Sequence, residues 1–237
     1  MIRRIVSCVI VLMGVAGIVF LLRRPYHDGL LRYGMLASMV AVWAGLLALA
    51  WKPWGLRVAV VLIPVLLMLT LLLPGGNLDH TRLKEDYVKA LQSYVGTPYI
   101  WGGEGRGGID CSGLPRAALR QALLEQAKEC NTRAARLWLA QWWFDTSAKA
   151  MAEEYRGFTH TTGISGDLRQ IDLSRIRPGD LAVTKSQSHV MVYLGAGVWI
   201  QAEPLRRKVI VAPAGSPVSV YLSSEVTLYR WQVMEAS

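Results

Sequence analysis

Three stretches without a single charged side chain dominate the first 73 residues: Ile5–Leu22, Tyr33–Trp51 and Val58–Leu73. About 20 mostly apolar residues cross the roughly 30 Å hydrocarbon core of a bilayer. Transmembrane spans are therefore expected near 5–22, 33–51 and 56–73. Helices of this kind satisfy their backbone internally and put their side chains into lipid. Residues 1–78 are thus set apart as a transmembrane region, with the lipid bilayer as partner. Trp51 and Trp54 end the second stretch where an interfacial belt would place them, while Trp43 sits inside it. Arg3-Arg4 would suit a signal peptide, but no small-x-small cleavage site precedes Arg23-Arg24 and two more apolar runs follow. Three spans put the two chain ends on opposite faces. Loop charge does not orient them: Arg3, Arg4, Lys52 and Arg57 face Arg23, Arg24, Arg32, Arg82 and Lys84.

Pro74-Gly75-Gly76-Asn77 closes the apolar part, and a second domain is expected over 79–237. It holds 19 Lys/Arg and 16 Asp/Glu, a mildly basic globular composition. At roughly 150 residues it can bury its own core. Arg206-Arg207-Lys208 is a short cluster and not a basic face, so no nucleic-acid partner is expected. Cys8, Cys111 and Cys130 are too few for a disulfide framework. No metal-ligand spacing is present, and no cofactor is expected.

Within 79–237, Asp79 or Thr81 can cap a helix that carries Leu83, Tyr87, Leu91 and Val95 on one face and stops at Gly96. A Gly- and aromatic-rich loop follows, then a helix from Cys111 to about Lys128 with Pro115 in its first turn. Residues 130–157 read as one or two further helices with Trp138, Trp142, Trp143 and Phe144. Short β-rich segments come next: Leu181–Thr184, Val190–Leu194, Val198–Ala202, Lys208–Val211 and Val226–Val233. Helices followed by an antiparallel sheet is an α+β pattern.

Asp110-Cys111-Ser112-Gly113 places a thiol where a Gly-rich loop opens a helix. The positive helix end and unpaired N–H groups there favour thiolate. His189 opens an alternating strand and shares its face with Met191 and Tyr193. Gln201 lies on the next strand, across the Gly195-Ala196-Gly197 turn, where its carbonyl could hold the imidazole N–H and fix the tautomer. Taken singly, each has a plainer reading: a small buried cysteine, a structural histidine and a solvent-facing glutamine.

Taken together, Gly-Thr-Pro-Tyr-Ile-Trp-Gly-Gly (96–103), Asp-Cys-Ser-Gly (110–113), Pro-Gly-Asp-Leu (178–181), His-Val-Met-Val-Tyr-Leu-Gly (189–195) and Trp-Ile-Gln-Ala (199–202) resemble the NlpC-type cell-wall cysteine peptidases. Those are papain-like enzymes on a reduced scaffold. The resemblance implies a Cys-bearing helix packed on an antiparallel sheet that carries the other two residues. It implies a Cys111-His189-Gln201 triad that cuts peptidoglycan stem peptides through a thioester, commonly at the D-γ-glutamyl–diaminopimelate bond. It further implies that Tyr99 lines the site and that Asp110 and Ser112 help bind the stem peptide's free amine; helix capping is the competing role for those two. A bacterial inner-membrane protein with its catalytic domain on the periplasmic or extracytoplasmic side follows. The chain departs from the pattern at three places. Gln201 stands where histidine is frequent, Met191 replaces a commonly small residue and would narrow the groove, and an inserted helical segment near 125–170 lengthens the Cys-to-His stretch. Its aromatics read as a helix on the core, or else as a lid or bilayer contact. Two other functions compete: an amidase or acyltransferase of the same fold acting on a lipid or other amide, and a non-catalytic membrane binding protein.

Overall fold

The computed structural model describes residues 2–26, 28–144 and 147–235. Residues 145 and 146 of the inserted segment and the last two residues of the expected 79–237 domain lie outside that description. The chain divides into two compact units, Met1–Pro74 and Gly75–Ser237.

The first unit contains α1 (Ile2–Leu22), α2 (Gly29–Leu49) and α3 (Trp54–Leu72). Each is long and apolar enough to cross a membrane. Each begins three or four residues before the uncharged stretch that announced it. For α2 the cause is local: Asp28 Oδ1 accepts the Leu31 N–H at 2.8 Å and starts the helix early. Helices α1 and α2 pack closely through glycine. A Cβ at Gly14 would fall 2.7 Å from Val42 Cγ2, and one at Gly45 would fall 2.6 Å from Val11 Cγ2. Small residues at such a crossing let two helix backbones approach closely. Leu12, Met13, Leu66, Leu67 and Met68 point outward, and α3 buries no residue.

The second unit opens with α4 (His80–Gln92), capped by Asp79, whose Oδ1 accepts the Arg82 N–H at 3.0 Å. Leu83, Tyr87 and Leu91 form its buried face. The helix ends four residues before Gly96, contrary to expectation, and Val95 is 52% exposed. Two local bonds account for this. Ser93 Oγ donates to the Ala90 carbonyl at 2.7 Å, and the Gly96 N–H turns away to the Val209 carbonyl at 3.0 Å.

A two-stranded hairpin, β1 (Glu104–Gly105) with β2 (Gly108–Ile109), leads into α5 (Gly113–Lys128), then α6 (Thr132–Trp143) and α7 (Ala148–Ala152). The sheet follows: β3 (Thr159–Asp167), β4 (Leu181–Thr184), β5 (Val190–Gly195), β6 (Val198–Glu203), β7 (Lys208–Pro213) and β8 (Glu225–Trp231). Its order is β3-β8-β4-β5-β6-β7, and each neighbouring pair is antiparallel. The fold is α+β, as the sequence pattern implied.

Only β3 lacks a sequence signal among the strands of the large sheet. Thr159–Asp167 is polar and carries Gly163 and Gly166, and it is an edge strand with a register shift between Thr161 and Ser165. Pairing with β8, not its own composition, makes it a strand.

Two apolar clusters cover the two faces of the sheet. One unites α4 and α5 with Leu181, Val190, Val192, Ile200 and Trp231, and Trp231 Nε1 donates to Tyr87 Oη at 3.0 Å. The other gathers Leu168, Met191, Tyr193, Trp199 and Leu222. Met191 is fully buried there, so it fills a core and does not line a groove, contrary to the expectation from its size. Trp138 packs against the first cluster. The inserted helix α6 is tied to α5 by Arg116, whose Nη2 donates to the Gln141 carbonyl at 2.9 Å and the Phe144 carbonyl at 2.8 Å.

Candidate active site

Cys111 occupies the turn just ahead of α5, two residues before the helix begins, and not its first turn as expected. Asp110 builds that turn. Its Oδ1 accepts the Gly113 N–H at 2.6 Å and the Ser112 hydroxyl at 3.1 Å, and its Oδ2 accepts the Gly102 N–H at 2.8 Å. Burial raises its pKa above the usual carboxylate range, and these donors oppose the rise. The turn needs glycine at 113, because a Cβ there would fall 2.0 Å from the Gly103 carbonyl oxygen. Asp110 therefore braces the helix entry, while the Ser112 side chain makes no cap bond and donates to Asp110 instead.

The sulfur faces the start of β5. Cys111 Sγ lies 3.9 Å from the Ser188 carbonyl oxygen, and the N–H groups of Val190, Ser112 and Cys111 itself are directed at it. Ser188 and Val190 flank His189 in the chain, so the backbone on either side of the imidazole lies against the thiol. His189 Nε2 lies 2.6 Å from Gln201 Oε1. That contact brings the strand neighbour and the ring together as the β5–β6 pairing allows. It leaves Nδ1 as the nitrogen able to serve a thiol. Gln201 is 1% exposed and not solvent-facing. The backbone of His189 is also pinned: its N–H donates to Thr184 Oγ1 at 3.2 Å, and its carbonyl accepts the Thr184 N–H at 3.0 Å.

Sequence reasoning missed two participants. Tyr221 stacks on the His189 ring with centroids 3.7 Å apart and planes 10° from parallel. It sits in a short 3-10 turn, Val220–Ser223, before β8. Glu203, fully buried two residues beyond Gln201 on β6, accepts the Ser219 hydroxyl and, at 3.0 Å, the Leu205 N–H. Ser219 Oγ in turn accepts the Tyr221 N–H at 3.3 Å. Glu203 thereby anchors the turn that carries Tyr221. No spacing rule joins residues 203, 219 and 221; only the fold does. Tyr99 packs against the apolar cluster that includes Cys111. Burial, with added repulsion from Cys111, pushes its hydroxyl pKa up.

Burial governs the electrostatics. Cys111 is 7% exposed and His189 1%. Burial, with Asp110 adding to it, pushes the Cys111 thiol up to about 12. Burial pushes His189 down to about 4, against the opposing effect of its hydrogen bond to Gln201 Oε1. Between those values the pair is a neutral thiol beside a neutral imidazole. The ligand-free protein is therefore expected to react with iodoacetamide slowly at neutral pH. The rate should climb about tenfold per pH unit from pH 7 to 10, because only thiolate attacks. A pH-independent rate between 5 and 8 would instead reveal a preformed thiolate–imidazolium pair and refute this reading.

Comparison with known proteins gives a consistent picture. The model of the NlpC/P60 family matches residues 96–227, more than half of the chain. Proteins named as probable endopeptidases in Mycobacterium tuberculosis and Mycobacterium bovis are 27% identical over 148 residues, 62% of this chain. The chain spans 29% of the length of those curated relatives. Among solved structures, the P60 domain of a Mycobacterium avium subspecies paratuberculosis antigen is similar with 22% identity and a TM-score of 0.40, over 67% of this chain and 100% of that one. The peptidoglycan hydrolase RipB of Mycobacterium tuberculosis is similar with 18% identity and a TM-score of 0.41, over 78% of this chain and 92% of that one.

Proposed function

The chain belongs to the NlpC/P60 family, and from that premise we propose that it is a membrane-anchored cysteine peptidase that cuts peptide stems of peptidoglycan. The observation that carries the reading is the corner itself: Cys111 Sγ against Ser188 and Val190, with the intervening His189 held by Gln201 Oε1 at 2.6 Å.

In the proposed reaction Gln201 accepts the His189 Nε2–H, which leaves Nδ1 basic. Nδ1 takes the Cys111 proton as the sulfur attacks the scissile carbonyl carbon. The carbonyl electrons move to oxygen, and N–H groups at the helix entry, including that of Cys111, face the developing charge. One such donor contributes about 3–4 kcal/mol in other enzymes. Collapse of the adduct expels the amine, which leaves with the proton from Nδ1, and a thioester remains. Water then gives its proton to Nδ1, attacks the thioester and frees the thiol. Tyr221, stacked on the ring, holds the imidazole plane during both transfers. Tyr99 borders the path of the substrate. Asp110 holds the helix entry, and together with Ser112, whose hydroxyl it accepts, it is proposed to meet the free amine of the stem peptide. The D-γ-glutamyl–diaminopimelate bond is the proposed point of cleavage.

The anchoring rests on α1, α2 and α3. An odd number of spans puts the N-terminus and the globular unit on opposite sides of the membrane. We assign residues 79–237 to the extracytoplasmic side of a bacterial inner membrane, where the stems are.

Purified full chain in detergent, incubated with peptidoglycan, is expected to release fragments whose masses correspond to cut stems. A reporter fused after the globular unit should be active only outside the cytoplasm. Intact stems from a folded, reduced protein, or a reporter active only inside, would move the reading to an amidase or acyltransferase acting on another acyl substrate.

A further inference from the structure

Away from the thiol corner, a cavity of about 530 Å³ lies between α5, α6, the Arg156–Phe158 segment and the C-terminal turn Gln232–Glu235. Its apolar wall is formed by Leu119 and Leu123 of α5 and by Leu137 and Phe158. Three arginines line it, Arg133 and Arg136 from one face of α6 and Arg156 from the opposite side; the Arg156 guanidinium lies 3.7 Å over the Phe144 ring, and Arg136 Nη1 donates to Thr132 Oγ1 at 3.5 Å. Glu235 is the acidic residue of the lining, and it is engaged by Arg230 Nη1 and His160 Nε2, each at 3.3 Å. The lining is thus strongly positive.

Gln141 supplies an independent sign of a ligand. It is 3% exposed and lines the same cavity, and its Oε1 has no hydrogen-bond partner among the described residues. A buried acceptor left without a donor is costly and rare. Its backbone is fixed, because its carbonyl accepts Arg116 Nη2 at 2.9 Å. Arg156 is held on the rim in a left-handed conformation, φ +57°, by a segment that also includes Glu154 at φ +52°. Non-glycine residues keep such backbone angles where the surroundings enforce them, commonly at ligand sites.

We propose that this cavity captures the carboxyl terminus of a peptide. The terminal carboxylate pairs with Arg133, Arg136 and Arg156. The terminal residue's N–H, one residue-length from that carboxylate, donates to Gln141 Oε1, and its apolar side chain rests on the half-buried Leu137 and Phe158. This combination of anion, adjacent N–H donor and apolar group is what a peptide end presents, and capture of a terminal carboxylate is a known recognition mode. A cavity of a few hundred Å³ is the size that takes a ligand this small. Arginine suits the role because its planar fork matches a carboxylate. The inference is separate from the chemistry proposed for Cys111.

The test uses full-length Cys111→Ala protein in detergent, which cannot consume a peptide, and isothermal titration with N-acetyl-Ala-Leu and with its C-terminal amide. The free acid is expected to bind at least about tenfold more tightly than the amide, the scale of a lost charge-assisted contact. Arg133→Gln with Arg156→Gln, both at exposed positions, should remove that difference while the melting temperature stays unchanged. Methylation of the leucine nitrogen should weaken the acid about tenfold, because Gln141 Oε1 then has no donor. Equal binding of acid and amide, or no binding by folded protein, overturns the proposal. So does tighter binding of sn-glycerol 3-phosphate than of the acid, which would assign the arginines to a phosphate. Binding without any peptidoglycan cleavage by the wild type would leave this inference standing and sink the proposed function instead.

Discussion

Replacing Cys111 with alanine is expected to lower stem-peptide hydrolysis by about 10⁵–10⁶-fold, to the level the binding site alone can sustain. The reason is chemical. No other described side chain at the corner can form the thioester, and the imidazole left behind can activate water only poorly placed for attack. The substitution should leave the fold intact, since Cys111 packs at the edge of the first apolar cluster and loses only one sulfur. Cys111→Ser serves as the stricter control, keeping the shape while removing the readily ionised nucleophile. Gln201→Ala should cost less, about 10²-fold in kcat, because Gln201 orients His189 and cannot take charge itself. The measurement is product release from defined stem peptides, followed by mass spectrometry. Residual activity above one part in a thousand in Cys111→Ala would mean that another group does the chemistry.

Glu104→Ala is expected to destabilise the globular unit by about 3–5 kcal/mol, the usual cost of removing one partner from a buried ion pair. Glu104 Oε1 accepts Arg116 Nη1, and Glu104 Oε2 accepts Arg120 Nη1 at 2.5 Å. All three side chains are at least nine-tenths buried. Without the carboxylate, two guanidinium groups remain in the interior facing each other. The damage should spread in two directions. Gly103, next to Glu104, accepts the Asp110 N–H at 3.0 Å, so the cysteine turn loosens. Arg116 also holds the end of α6, so the inserted segment frays. Glu104→Gln, which keeps the volume and two polar atoms, should lose roughly half as much. Urea unfolding of the globular unit, followed by tryptophan fluorescence, gives the comparison. A loss under about 1 kcal/mol for Glu104→Ala would show that the arginines find water on their own.

Several elements could be read from the chain in advance for definite reasons. The three apolar helices were visible because long uncharged runs announce themselves by length and composition alone. Helix α4 was visible through the four-residue spacing of Leu83, Tyr87 and Leu91, and the five strands from β4 to β8 through alternation and turn residues. Its C-terminus was misplaced because Gly96 looks like a helix stop, whereas the Ser93 hydroxyl and the pull of Val209 end the helix sooner. Strand β3 was invisible because a polar edge strand borrows its stability from β8. Met191 was misread because alternation places it on a sheet face but cannot say whether that face is groove or core.

What the sequence determined by itself was local and covalent: apolar length, motif order, and the identity of the thiol, imidazole and amide that the family pattern singles out. The tertiary structure alone decided how these groups meet and in what state. Gln201 reaches His189 because β5 and β6 are neighbours, and Tyr221 lies on the imidazole because Glu203 and Ser219, 16 residues apart, hold its turn. The neutral state of Cys111 and His189 belongs to the same level. Their ionisation is set by how much water the packed elements exclude, and exclusion of water is a property of the assembled fold that no residue carries alone.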